Sequence, residues 1–491
     1  MPVNSSSIPV NLNNDVLLSI FTMNADMFSD ERALNTTRIA SQVSRQWRDL
    51  LLDTPSIWAK LIDMNGIRCA PSYEWGNEVI RRSGFAPLWI KADSYSIADH
   101  LRTEAANRYY LFNEFFVSCI RGNWRRIQKL VIKDLSCSFC LTLAMLCFPA
   151  PQLEEFDVSR PDLDEEIGRS SLFAGDAPIL RRFSFGYYVV DPAAPWLHHL
   201  HFIELDSAYS IRDALAVLSA TLNLQELKID DLMISDLSIP LPIVSLPHLK
   251  HVQSLGRPHP CAALLDHLEI PLLCSSTMWV DSWSHDTPIE LLSMVNTFIR
   301  YAERYLASRI FNIIRLDYTP EKYVSLECET KRPVKCQFRL SFPLHMDHDS
   351  TLLATFVNHL ALLDLSSFTR LRLRTNGPLK SSFAPLFNRL SSLNTMSIDT
   401  RALGYLMVLQ DHMIATNLEE TTIVFPLLKV INVGATSGGF TAKHVEITMK
   451  YILPRIRNGY PIARLNISKN SPLDVPPGSD AFAEAKGLKV K

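Results

Sequence analysis

No apolar run in this chain is long enough to cross a bilayer. The most apolar stretch, Phe139 to Phe148, is about ten residues long and stops at Pro149. A spanning helix needs roughly 20 residues, so this stretch reads as a buried core segment. Charge of one sign is also missing. With 49 Lys and Arg against 51 Asp and Glu, the formal charge is −2, and no global field draws the chain to nucleic acid or an anionic membrane. The start, Met1-Pro2-Val3-Asn4 followed by three serines, has neither the basic flank and apolar run of a signal peptide nor the arginines of a transit peptide. Nine cysteines, scattered from Cys69 to Cys336, form no regular disulfide framework. The expectation is a reducing compartment, cytoplasmic and/or nuclear, with no membrane and no nucleic acid as partner.

Catalytic and metal chemistry is equally thin. Cys137 and Cys140 have the gap of a metal knuckle, but no second such pair follows. His198, His199 and His201 cluster, and His345, Asp347, His348 and Asp349 form a second polar knot; both read as loop side chains. An enzyme built on an α/β domain would have to use the second knot. The run Gly434-Ala435-Thr436-Ser437-Gly438-Gly439 lacks the lysine of a phosphate loop and reads as a turn. The acidic run Asp162 to Glu166 follows Pro161, where carboxylates favour a helix start. No nucleophile has a partner base. The expectation is a protein that is not an enzyme and uses no cofactor and no metal.

What the chain does have is apolar substance, 47% of 491 residues, enough for several domains or one elongated repeat array. Near the start, Asn13 and Asn14 can cap a helix, Asp15 suits its positive end, and Val16, Leu17, Ile20 and Phe21 recur at helical spacing. A second helical pattern begins near Ser29-Asp30-Glu31 and carries Ile39, Val43, Trp47, Leu50 and Leu51. Thr54-Pro55 then caps and starts a third, with Ile57, Trp58 and Leu61 as its apolar face. Three short helices make too small a core to stand alone, so a partner surface is expected.

The pieces Leu12-Asn13-Asn14-Asp15-Val16-Leu17-Leu18-Ser19-Ile20-Phe21, Val43-Ser44-Arg45-Gln46-Trp47-Arg48-Asp49-Leu50 and Asp53-Thr54-Pro55-Ser56-Ile57-Trp58 resemble, in that order, the F-box of the large fungal F-box families. The resemblance covers about a tenth of the chain. It departs at one position, where the family usually has Leu-Pro and this chain has Leu12-Asn13. The resemblance implies docking on a Skp-type adaptor, and through it on a cullin, by Leu12, Asp15, Leu17, Ile20, Phe21, Val43, Arg45 and Trp47. It also implies that the rest of the chain holds a target protein of unknown identity.

After residue 61 a unit repeats: an apolar residue, two variable ones, an apolar residue, one variable one and a last apolar residue. It occurs at Ile127/Leu130/Ile132, Leu153/Phe156/Val158, Leu180/Phe183/Phe185, Leu197/Leu200/Phe202, Leu224/Leu227/Ile229 and Leu265/Leu268/Ile270. It returns at Ile313/Leu316/Tyr318, Phe368/Leu371/Leu373, Leu393/Met396/Ile398, Leu428/Ile431/Val433 and Ile462/Leu465/Ile467, with a weaker copy at Leu249/Val252. Many copies follow a turn-forming proline, at Pro151, Pro178, Pro195, Pro247 and Pro426. Apolar residues two apart share one face of a strand, and helical patterns fill the gaps at Asp213 to Leu222, Pro288 to Leu306 and Thr351 to Leu365.

The expected fold class is therefore α/β, an N-terminal three-helix F-box followed by an irregular leucine-rich-repeat-like solenoid. Its divisions would be a flexible N-terminus (1–9), the F-box (10–62), a helical linker or cap (63–120), the repeat domain (121–470) and a mobile tail (471–491). Glu321 to Phe342 alternates and reads as a hairpin insertion turning at Lys331-Arg332-Pro333. Within each unit the variable residue between the last two apolar positions points away from the core. These residues, Asp157, Ser184, His201, Lys228, Glu269, Arg372, Ser397, Asn432 and Asn466, are the expected target-binding face. They mix both signs, which suits a protein partner better than nucleic acid.

Overall fold

The computed structural model describes residues 12–64, 74–92, 114–133, 143–159, 172–233, 240–280, 288–307, 311–330, 337–344, 349–416, 423–434, 441–467, 485 and 487–490. It is a mixed α/β protein with a mostly parallel sheet. The chain divides into two compact units, Met1–Tyr209 with Ala216–Leu224, and Ser210–Leu215 with Gln225–Lys491.

The first unit opens with four helices: α1 (Asn14–Asn24), α2 (Ala33–Val43), α3 (Arg45–Leu52) and α4 (Pro55–Trp58). Asn13 caps α1, its side chain accepting from the Asp15 N–H at 3.2 Å. The pattern expected to be one helix from Ser29 onward is two. Ser44 adopts extended backbone and its hydroxyl accepts from the Trp47 N–H at 3.1 Å, so a capping residue ends α2 and starts α3. Pro55 occupies the first turn of α4, where its missing N–H leaves no bond unmade. The helices pack through Leu17, Phe21, Leu51 and Trp58, all at most 3% exposed. Phe21 meets Trp47 edge-on at 5.1 Å, and Trp58 donates to the Leu51 carbonyl at 2.8 Å.

The same unit carries strands β1 (Ile62–Asp63), β2 (Leu88–Ala92), β3 (Ile127–Ile132), β4 (Glu155–Val158), β5 (Arg182–Phe185) and β6 (Phe202–Leu205). Each pairs in parallel with the next. The sheet therefore begins well ahead of residue 121, inside the segment read as a helical linker. Ile62, Ile90, Leu130, Phe156, Phe183 and Ile203 lie in register and are all 0% exposed. Trp196 packs on Phe183 of this row at 4.9 Å and on Phe173 at 5.7 Å.

In the second unit β7 (Glu226–Asp230), β9 (His251–Gly256) and β11 (Ser275–Val280) run parallel. Then β12 (Phe311–Thr319), β13 (Tyr323–Thr330) and β14 (Gln337–Pro343) form an antiparallel meander. It is placed so that β14 pairs in parallel with β11, and β12 with β15 (Arg370–Thr375). The expected hairpin is thus β13–β14, and its turn lies outside the described residues. Strands β16 (Thr395–Asp399), β17 (Val430–Gly434), β18 (Arg464–Ile467) and β19 (Lys489–Val490) continue the parallel order. The last of these lies in the segment expected to be a mobile tail.

The prolines singled out in the sequence have a common task. In Ala150-Pro151, Ala177-Pro178, Ala194-Pro195, Leu246-Pro247 and Phe425-Pro426, the N–H three residues after the first member donates back to its carbonyl at 3.1 to 3.2 Å. Proline is preset for the second position of such a turn. At all five that N–H belongs to the first leucine of an expected repeat unit, Leu153, Leu180, Leu197, Leu249 and Leu428.

Three repeat copies are displaced, one of them at Ile313, where Ile314 and Leu316 rather than Leu316 and Tyr318 align with Leu371 and Leu373. Strand β6 begins at Phe202, because a 3-10 turn over Pro195–His199 takes up Leu197. The inward positions are Leu200, Ile203 and Leu205, each 0% exposed. The copy at Leu265 forms β10 (Leu268–Glu269), which pairs only with β8 (Val244–Ser245) in a separate small sheet. The strand of the main sheet follows it as β11, where Ser276 takes an apolar position at 0% exposure.

Candidate functional site

Two surfaces stand out. The first is on the helical module. Leu12, just ahead of α1, and Val16, Ile20 and Met23 on it, spaced four, four and three apart, are 39% to 77% exposed. On α2, which touches α1, Ile39 and Val43 are 52% and 60% exposed. Apolar residues so placed on neighbouring helices are a mark of a partner surface. Leu17 and Phe21, expected as adaptor contacts, are instead 2% and 3% exposed and hold the module together. Leu12, Asp15, Ile20, Val43 and Arg45 are exposed, and Trp47 is half-buried against Phe21. Val16, Met23 and Ile39 join the exposed set without having been expected there.

The second surface is the face of the strands turned away from the core. In the second unit one register row runs from Lys228 through Gln253, Thr277, Arg339, Glu327 and Arg315 to Arg372, Ser397, Asn432 and Asn466. Five residues expected from the sequence, Lys228, Arg372, Ser397, Asn432 and Asn466, therefore share one line across ten strands. In the first unit Asp157 and Ser184 also sit between inward positions, and Asp157 pairs with Lys133. His201 and Glu269 do not belong to either line. The register shift in β6 puts Glu204 where His201 was expected, and Glu204 accepts from the Ser184 hydroxyl at 2.9 Å. Glu269 is exposed in the small β8–β10 sheet.

Charges on this face are cross-linked. In the first unit Glu155 lies 3.2 Å from Lys129 and 3.5 Å from Arg182, and Arg182 stacks over Phe202 at 4.1 Å. In the second, Glu327 is buried at 5% exposure and pairs with Arg315 at 2.9 Å, with Arg339 in register on its other side. Burial holds the Asp317 carboxyl above the usual carboxylate range, against the pull of Arg315 and Arg374. Over β12 and β15 to β18 a hollow of about 640 Å3 opens, lined by Arg315, Arg372, Arg374, Ser397, Asp399, Asn432 and Asn466 among others. Arg315 and Arg374 carry no signal in the repeat pattern and were missed.

Among the described residues no three or more His, Cys, Asp or Glu are gathered to hold a metal ion. His198 and His199 are exposed neighbours, 5.7 Å apart. Cys137, Cys140, the His345 to His348 knot, the Asp162 to Glu166 run and residues 435–439 lie outside the described residues. Burial pushes the Cys119 thiol up to about 12 and the Cys261 thiol to about 11, so both are protonated at neutral pH. No described helix is long and apolar enough to cross a membrane. In sequence comparisons no protein-family model and no curated protein matches this chain.

Proposed function

We propose that this chain is a non-catalytic, substrate-recognition subunit of a Skp/cullin/F-box ubiquitin ligase. In this reading the N-terminal helices are an F-box that docks on the Skp-type adaptor, and the strand face of a degenerate leucine-rich-repeat-like solenoid holds a target protein. Transfer of ubiquitin belongs to other subunits. This chain supplies proximity, raising the effective concentration of the target, in the cytoplasm and/or nucleus. The observation that carries the reading is the exposed apolar set Val16, Ile20, Met23, Ile39 and Val43 on a small helical module, which leaves apolar surface for a partner to cover.

The test is capture of a Skp-type adaptor by the full chain, comparing wild type with Val16→Asp/Ile20→Asp. Both positions are exposed, so the double variant should keep its thermal midpoint and lose the adaptor. A wild type that captures no adaptor would end this reading.

The second reading is a scaffold whose F-box-like helices only cap the solenoid. It is favoured by the way the module is built onto the sheet. The Trp89 N–H of β2 donates to the Ala59 carbonyl at 2.8 Å, Phe28 packs on Trp89 at 5.8 Å, and β1 follows the module directly. The same capture experiment separates the two.

A further inference from the structure

We infer that the hollow over β12 and β15 to β18 is a subsite for an oxyanion, a carboxylate or phosphate carried on an acidic peptide. This deepens the target-binding reading above and rests on it. Arginine has donors only, and Arg315, Arg372 and Arg374 line one side. On the other side Asn466 Nδ2 donates to Asn432 Oδ1 at 2.7 Å, and Asn432 Nδ2 donates to Ser397 Oγ at 3.0 Å. The ladder therefore runs one way. It fills an acceptor site of Ser397 and leaves the hydroxyl hydrogen in need of another acceptor. The next residue in register is Arg372, which cannot accept.

Carboxylates around the hollow have partners of their own, apart from Asp317, which is in register with Arg374. Glu327 pairs with Arg315 at 2.9 Å and Glu329 with Arg372 at 3.6 Å. Asp399 accepts the Ala402 N–H at 2.8 Å. Asp317 does not line the hollow. What the hollow offers is donors: the exposed Arg374, the remaining N–H groups of Arg372 and the Ser397 hydroxyl. A guanidinium fork beside a hydroxyl matches the paired oxygens of a carboxylate or phosphate. The volume of about 640 Å3 falls within the roughly 300–1,000 Å3 of small-ligand sites.

The experiment is calorimetric titration of the full chain with tetraglutamate, the same peptide carrying one phosphoserine, and tetralysine. Both acidic peptides should bind, more weakly as salt rises, and tetralysine should not. The tighter of the two acidic peptides identifies the source of the oxyanion. Arg374→Glu should weaken binding on the order of ten-fold, the loss of one charged hydrogen bond. Asn466→Asp should act in the same direction without removing a cation. Arg389→Glu, the same charge change outside the hollow, should leave binding unchanged. Equal weakening by Arg374→Glu and Arg389→Glu, or no binding of either acidic peptide, overturns the subsite. A chain that captures the Skp-type adaptor but binds neither acidic peptide sinks the subsite and spares the adaptor reading. One that binds acidic peptides through Arg374 but captures no adaptor does the reverse.

Discussion

Arg455 donates from Nη2 to the carbonyl of Phe425 at 2.7 Å, and its Nη1 donates to the carbonyl of Val424, also at 2.7 Å. The side chain is 1% exposed and stands on the helix Ala442–Arg457. Phe425 has φ +57, in the left-handed region, and begins the proline turn that leads into β17. The guanidinium thus holds an unfavourable backbone conformation by satisfying two adjacent buried carbonyls at once. Arg455→Met would leave the Val424 carbonyl without this donor and the Phe425 carbonyl with only the Leu428 N–H of the turn, and a loss of about 1 to 3 kcal/mol is expected. Arg455→Lys, a single point donor, should recover only part of it. Urea midpoints for the three proteins check this, and equal midpoints would refute the clamp.

Much of the strand register could be read from residues because two constraints coincide. Leu393/Met396/Ile398 and Leu428/Ile431/Val433 are each preceded by a turn, so the triplet had a fixed starting point. Where the pattern overlapped itself it failed. Leu197/Leu200/Phe202 and Leu200/Ile203/Leu205 lie three residues apart, and only the 3-10 turn over Pro195–His199 selects the second. Strand β11 was invisible because a serine, Ser276, fills an apolar position. On α1 both Val16/Ile20 and Leu17/Phe21 are apolar, and the choice between inside and outside is made by Trp47, which packs on Phe21. The Asn432–Asn466 ladder depends on register between strands 34 residues apart, which no local spacing encodes.

Asp317 gives a pH signature for the outward strand face of the second unit. Its Oδ1 is enclosed with no hydrogen-bond partner, and burial raises its pKa. The folded protein therefore holds this proton more tightly than the unfolded chain does, and wild-type stability falls as pH rises through the folded value. Asp317→Asn should be the more stable protein at about pH 8, with the advantage shrinking as the pH is lowered to about 4. Urea midpoints of both proteins at several pH values measure the difference. A gap that stays constant across that range would contradict the assignment.

Glu78 predicts the opposite slope in the first unit. Hydrogen bonds from Arg81 and Arg82 pull its pKa down from 4.5 to about 2, so its contribution is complete above the ordinary carboxylate value and disappears as the pH falls from 4.5 towards 2. Arg82, held by Glu78 at 2.7 Å, lies over Trp58 at 4.5 Å and Trp75 at 5.4 Å. Protonation should free the guanidinium from both rings and change tryptophan fluorescence within that window. Glu78→Gln should remove the step and show the acid-form spectrum at neutral pH. An identical fluorescence titration for both proteins would mean that Glu78 does not position Arg82.

Asn13 marks the departure from the F-box pattern, and the backbone there permits a direct repair. Its φ is −59 with ψ 144, a conformation proline adopts without strain. Asn13→Pro would forfeit the cap to the Asp15 N–H at 3.2 Å, a cost of about 1 kcal/mol. A stiffer unfolded chain offsets this by roughly 0.4 to 1 kcal/mol. The thermal midpoint should therefore hardly move. If the exposed face of α1 docks on a Skp-type adaptor, restoring the Leu-Pro start of the family should strengthen capture, because it shapes the entry to that helix beside Leu12 and Val16. A variant that folds as well as wild type and binds the adaptor more weakly would show that Asn13 itself belongs to the contact.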